Sequence, residues 1–293
     1  MTLPTPEARS RRLDIIVAEC LGYLPDYVAG NLPAISFDDG RIDLEESGAR
    51  TVADDLRPEV RRQLAEAYAW CADRFPLSLR APGRDGSVRS IALLVVGHSR
   101  RRARLLSSSS PQAPGLVFIA ADWPLASPYR LASLLSHEDV HQALYVREAE
   151  SSPVRPTSLG YSPWKGTLRP GRWVWHAFWT FTCQVTLLGE SLARDRSLVE
   201  RDPTLPRFIA EMMARVSVCL YSLRIFDVVS VEEVERCRRA SSVLDEVAEV
   251  LGGIPHFDQL RDSARNVAST EFGDWATNQL SGAQLEVIER ARV

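Results

Sequence analysis

The chain has 293 residues, 45% of them apolar and 25% charged, with a formal net charge of -3. That is enough apolar material for a sizeable core in one large unit or two packed ones, and it excludes a disordered chain. The near-balanced charge excludes a global basic field and with it a dedicated nucleic-acid binder.

In chain order, the opening residues MTLPTPEARSRRLD carry no apolar signal segment. Residues 6 to 24 predict a first amphipathic helix, with Leu13, Ile16, Val17, Cys20 and Leu21 at helical spacing, ended before Pro25. A connection rich in Gly, Pro and Asp follows, and residues 57 to 74 predict a second helix with Pro58 in its first turn. Two short apolar runs, residues 91 to 97 and 115 to 121, read as buried strands. The stretch between them, with Arg100, Arg101, Arg102, Arg104 and a serine run, reads as an exposed hairpin connection: a solvated loop or, alternatively, a docking surface for an acidic peptide.

Residues 127 to 148 predict a helix capped by Ser127, with Pro128 at its first position and an apolar stripe of Leu131, Leu134, Leu135, Ala143 and Leu144. It carries His137-Glu138-Asp139-Val140-His141. Two imidazoles four residues apart lie on one helical face and reach one metal ion, while Glu138 points at a ligand on that ion. About two dozen residues rich in Pro, Ser and Gly come next, containing Tyr161, Trp164, Lys165, Arg169 and Arg172; a loop of that length and content is expected to be a lid or site wall. Lys165 is the only lysine among the 35 basic residues.

Beyond the loop, helices are predicted over residues 173 to 199 and 203 to 226, from Ser230 with a capping box to Glu233, and from Ser281 with Gln284 in the same role. The run 173 to 188 is the nearest candidate for a membrane span, but it is too short and contains His176 and Gln184, so it reads as a buried helix and no membrane partner is expected. Five scattered cysteines without C-x-x-C spacing argue against a disulfide framework or a structural zinc site, and a reducing cytoplasm is the expected location. The predicted fold class is α+β and predominantly α-helical. A helical N-terminal scaffold (1 to 75) precedes a small sheet with a zincin-like metal helix (76 to 190) and C-terminal helices (191 to 293), all in one catalytic unit.

Two histidines need at least one more protein ligand. The metzincin pattern is excluded, because Leu144 and Arg147 stand where its glycine and third histidine would be. His176 and Glu190 compete for the third place; fourteen helical residues separate them by roughly 21 Å, so only one faces the metal. His176 is preferred because it opens the apolar helix directly after the Pro-rich loop, while His98 and His256 have weaker claims.

The ordered set SHEDVHQAL, YSPWKGTLRP and WHAFWTF resembles the HExxH-motif proteins of ribosomal peptide natural-product pathways, described as 2-oxoglutarate-dependent peptide β-hydroxylases. The resemblance is strong over residues 115 to 190. It implies Fe(II) held by His137, His141 and His176, with Tyr161, Trp164, Lys165 and Arg169 lining the site. In that reading the distal carboxylate of 2-oxoglutarate falls to Arg169, whose planar fork binds carboxylates bidentately, with Arg172 and Lys165 as alternatives. Trp164, Trp173, Trp175 and Trp179 would offer an apolar wall to a peptide or carrier-tethered substrate, with at least two of the four filling the core instead. A zinc hydrolase, with Glu138 as general base and a strand near 91 to 97 or 115 to 121 aligning the peptide, needs the same metal ligands. A non-catalytic, metal-stabilised binding protein is the third reading. No oligomeric state is indicated.

Overall fold

The computed structural model describes residues 11–21, 36–38, 49–51, 90–96, 107–111, 116–120 and 128–282, with short helical stretches at 62–63, 66–67 and 284–285. His98, Arg100 to Arg104, Ser127, Cys71 and most of the expected second helix lie outside the described residues. The molecule is predominantly helical and forms two compact units. A sheet-bearing unit comprises residues 1–10 and 24–147, and a helical unit comprises 11–23 and 148–293.

The sheet-bearing unit contains strands β1 (Ser36–Asp38), β2 (Ala49–Thr51), β3 (Ser90–Val96), β4 (Ser107–Ser109) and β5 (Leu116–Ala120), in the order β1-β3-β5-β4. β1 runs parallel to the first half of β3, and β2 antiparallel to its last residues. The uninterrupted apolar runs of β3 and β5 suit strands with a partner on each side, and the two pair in parallel, Ser90 opposite Leu116 and Leu94 opposite Ala120. The expected hairpin between them is therefore corrected: the antiparallel partner of β5 is the serine run β4, Ser107 opposite Ile119. A polar strand is tolerated there because it stands at the end of the sheet order. Helix α2 (Pro128–Ser151) starts at the expected proline and buries Leu131, Leu135, Ala143 and Leu144.

The helical unit is built around α3 (Gly171–Arg194), which is buried on nearly its whole circumference. Trp175, Phe178, Trp179, Leu187 and Leu188 have no exposed surface. The hydroxyls of Thr182, Thr186 and Ser191 donate to carbonyls four residues earlier at 2.6, 2.8 and 2.7 Å, so these three buried hydroxyls are satisfied within their own helix. The other helices are α1 (Arg11–Leu21), α4 (Leu198–Arg201), α5 (Leu205–Ile225), α6 (Val231–Leu251) and α7 (Phe257–Gln279); α1, α5 and α6 pack against α3, and α4 and α7 pack on α5. α3 comes so close to α6 that a Cβ at Gly189 would stand 2.4 Å from Val247 Cγ1.

Two further features depart from the sequence reading. The Pro-rich stretch after α2 is no irregular loop: it forms an antiparallel hairpin of β6 (Leu159–Ser162) and β7 (Thr167–Pro170), turned at Gly166 with φ +64°. Helix α7 was expected only as part of a helical C-terminal stretch, with no start or end of its own. Its buried face, Phe257, Ala264, Ala268, Phe272 and Ala276, is mostly alanine, and His256 sits at its N-cap in the left-handed region without a side-chain cap bond. Among the described residues, no helix is long and apolar enough to cross a membrane.

Candidate metal centre

Helix α2 brings His137 and His141 together in the sheet-bearing unit. Their rings are 5.0 Å apart between centres and nearly perpendicular, at 70°. A ring nitrogen about 2.1 Å from an ion puts the ring centre about 3.2 Å away, so two imidazoles at roughly 100° on one ion have centres about 5 Å apart. The pair fits a shared metal by that measure. Both rings are half-buried, and Tyr145, one turn on, stacks against His141 at 6.0 Å and 18°.

Glu138 lies between them in sequence and is only 2% exposed. Ser107 Oγ donates to its Oε1 at 2.6 Å, while Oε2, also buried, has no hydrogen-bond partner among the described residues. Burial pushes this carboxyl above the ordinary range, against the opposing pull of the Ser107 and Ser109 hydroxyls. Strand β4 is tied to α2 a second time by the Tyr145 hydroxyl, which donates to the Ser109 carbonyl at 3.3 Å. Ser107 of the serine run thus holds a buried acid of α2, a role its composition did not announce. Asp139, also fully buried, is a further acid next to Glu138.

His176 belongs to the helical unit and has no exposed surface. Its Nε2 stands 3.6 Å from Glu148 Oε2, an ion-pair distance beyond hydrogen-bond range. Burial lowers the imidazole's proton affinity, and Glu148 pulls it back up. The rival third ligand, Glu190, is held by Arg12 Nη1 at 3.0 Å, and Arg12 Nε also reaches Glu246 at 3.1 Å. Glu190 therefore pins α1 to the helical unit. Among the described residues, no three His, Cys, Asp or Glu side chains form one metal-ligating cluster.

The other expected site residues divide clearly. Tyr161 is 1% exposed and packs against Phe272 and Trp275, 5.0 and 4.6 Å between ring centres, so its ring belongs to the core. Trp164 stacks on Phe181 at 4.1 Å and donates from Nε1 to Met212 Sδ at 3.5 Å. Trp175 and Trp179 both donate to Glu233 Oε1, at 2.7 and 3.0 Å, and are the two core tryptophans anticipated. Glu233 consequently closes only half of the expected capping box: its backbone N–H donates to Ser230 Oγ at 3.2 Å, while its carboxylate turns into the core. Arg172 is committed to Glu148 at 2.9 Å and lies over the Trp173 ring at 4.8 Å. Lys165 is exposed in the hairpin turn. Arg169, opposite Gly160 on β7, is partly buried and has no carboxylate partner among the described residues.

Sequence reasoning passed over Glu148, although a signal was present: 137, 141 and 148 recur at helical spacing. No family model matches the chain, and no curated protein matches it.

Proposed function

We propose that the chain is a mononuclear iron, 2-oxoglutarate-dependent oxygenase that hydroxylates a peptide or peptide-tethered amino acid at a β-carbon. The carrying observation is the His137–His141 pair at the separation two ligands of one ion take, beside a buried Glu138 with one unpartnered oxygen. His176 is the third ligand of this reading, and a helix carrying the pair next to a sheet is what a zincin-like site requires. The resemblance carried by SHEDVHQAL, YSPWKGTLRP and WHAFWTF supports the reaction class.

Bound iron, with the keto acid, would supply activation of dioxygen. The chain's own residues orient and shield. Arg169 offers a partly buried guanidinium for the distal carboxylate of 2-oxoglutarate, a better candidate than the committed Arg172 or the exposed Lys165. Glu138 holds or accepts a proton at Oε2, its other oxygen being fixed by Ser107. Stacked on Phe181, Trp164 stiffens the hairpin that carries Arg169, and half-buried Trp173 is the tryptophan left for a substrate wall.

A zinc hydrolase is the second reading, favoured by the same open Glu138 oxygen. Its peptide could not pair with β3 or β5, which both have partners on two sides; among the described strands β1, β2 and β4 each have a single partner. The two readings part in one experiment. Metal analysis of anaerobically purified protein, then incubation of candidate peptides with Fe(II), 2-oxoglutarate and oxygen, should give a product heavier by one oxygen atom, dependent on the keto acid. Peptide cleavage with zinc and without oxygen would establish the hydrolase instead.

A further inference from the structure

Helices α5 and α7 of the helical unit run in the same direction, since Tyr221 meets Phe272 at 5.6 Å between ring centres and, further along both, Phe226 meets Trp275 at 6.2 Å. Between them opens a cleft of about 370 Å³, within the range that small-molecule sites occupy. Its apolar surface comes from half-buried Val218 and Tyr221 and from buried Phe272, and its polar surface from Ser269, Arg224 and Arg265. No aspartate or glutamate lines it among the described residues, so two guanidiniums share an apolar cleft in a chain whose net charge is -3. Arg224 is laid over the Tyr221 ring, its Cζ 5.5 Å from the centre, which sets a planar donor fork beside an aromatic face. Arg265 meets Asp245 at 3.6 Å, beyond hydrogen-bond range and with 49% and 67% of the two side chains exposed, so that pair is screened and open to exchange. We propose that this cleft binds a small organic carboxylate with an apolar or aromatic body. Arg224 takes the carboxylate, Val218, Tyr221 and Phe272 take the body, and Arg265, two turns before Phe272 on α7, adds attraction from the other end. A bare inorganic anion would leave the apolar surface unused, and a neutral ligand would leave the guanidiniums unused. None of these residues belongs to the metal reading above, so the cleft stands or falls separately.

The test is isothermal titration calorimetry of the full chain at low salt with 4-phenylbutyrate and octanoate, which carry an aromatic and an aliphatic body, and with 4-phenylbutanamide and inorganic phosphate as controls. At least one of the two carboxylates should bind at a single site with a Kd of about 1 mM or below. The amide and phosphate should each bind at least about 10-fold more weakly, because each lacks one half of the recognition. Arg224→Gln should weaken the carboxylate about 10-fold or more, and Arg265→Gln by a smaller factor. Ser269→Trp fills the cleft from an exposed position while keeping both arginines, and should abolish binding. Thermal unfolding checks that each variant is folded, and Arg224→Gln and Ser269→Trp report independently, so either decides the question should the other fail to fold. Absence of saturable binding by both carboxylates would overturn the proposal. So would amide or phosphate binding as tight as the carboxylate, or wild-type affinity in both Arg224→Gln and Ser269→Trp, which would place the ligand elsewhere.

Discussion

Glu233 in the helical unit and Glu138 in the sheet-bearing unit are equally buried, each 2% exposed, yet they are treated differently. Two indole N–H groups converge on Oε1 of Glu233, whereas Glu138 receives one serine hydroxyl on Oε1 and keeps a buried Oε2 without a partner among the described residues. A buried acceptor left open costs on the order of 1–3 kcal/mol. A fold tolerates that cost where the group has chemistry to do, and Glu138 stands between two half-buried histidines. In the helical unit the buried hydroxyls of α3 are satisfied within their own helix, and Glu190 is held by Arg12.

The sharpest way to break this contrast is to make one substitution at both acids. Glu233→Met removes the shared acceptor of two fully buried indoles, at about 1–3 kcal/mol for each donor, and should destabilise the protein by roughly 3–5 kcal/mol in urea denaturation. Glu138→Met should cost under about 1 kcal/mol or stabilise, because it removes a buried polar group that was only half satisfied. Equal losses at the two positions would mean that Glu138 is as structural as Glu233.

A smaller effect probes the packing of the helical unit. Gly189→Ala would push a Cβ to 2.4 Å from Val247 Cγ1, and overpacking of this kind costs typically about 1–3 kcal/mol, partly offset by alanine's better helix propensity. The double variant Gly189→Ala/Val247→Ala should recover part of the loss by removing the clashing methyl. A double variant less stable than both singles would show that α3 and α6 do not meet as tightly as the glycine implies.

What was legible in the sequence was what rests on local pattern. The apolar runs of β3 and β5, the amphipathic α1, the proline that opens α2 and the capping serine of α6 all declared themselves, as did the His137–His141 pair. What failed depended on partners distant in sequence. β4 is three serines with no strand propensity of their own, and only pairing with β5 and the bond to Glu138 make them a strand. The β6–β7 hairpin was hidden by Pro163, Pro170 and Gly166, residues of a loop and equally of a turn. Tyr161 was expected at a site for its chemistry, and the ring it packs on, Phe272, lies in a helix whose alanine face gave no warning.

The smallest predicted effect tests whether Glu190 belongs with the structural acids. Arg12 bridges it and Glu246 from α1, and the Arg12–Glu190 contact is the less exposed of the two, with side-chain exposures of 31% and 11%. Partly exposed pairs of this kind contribute on the order of 1 kcal/mol or less. Arg12→Ala and Glu190→Gln should therefore each lower stability by up to about 1 kcal/mol, and the double variant should fall short of their sum by the coupling of the pair. Added salt should shrink that coupling, because the Arg12 side of the bridge is open to solvent. Metal binding supplies the contrasting readout: with His176 as ligand, Glu190→Gln leaves Co(II) affinity at the wild-type value while His176→Ala does not. A Glu190→Gln protein that keeps its stability but loses the metal would transfer the third-ligand role to Glu190 and dissolve the distinction between the two units.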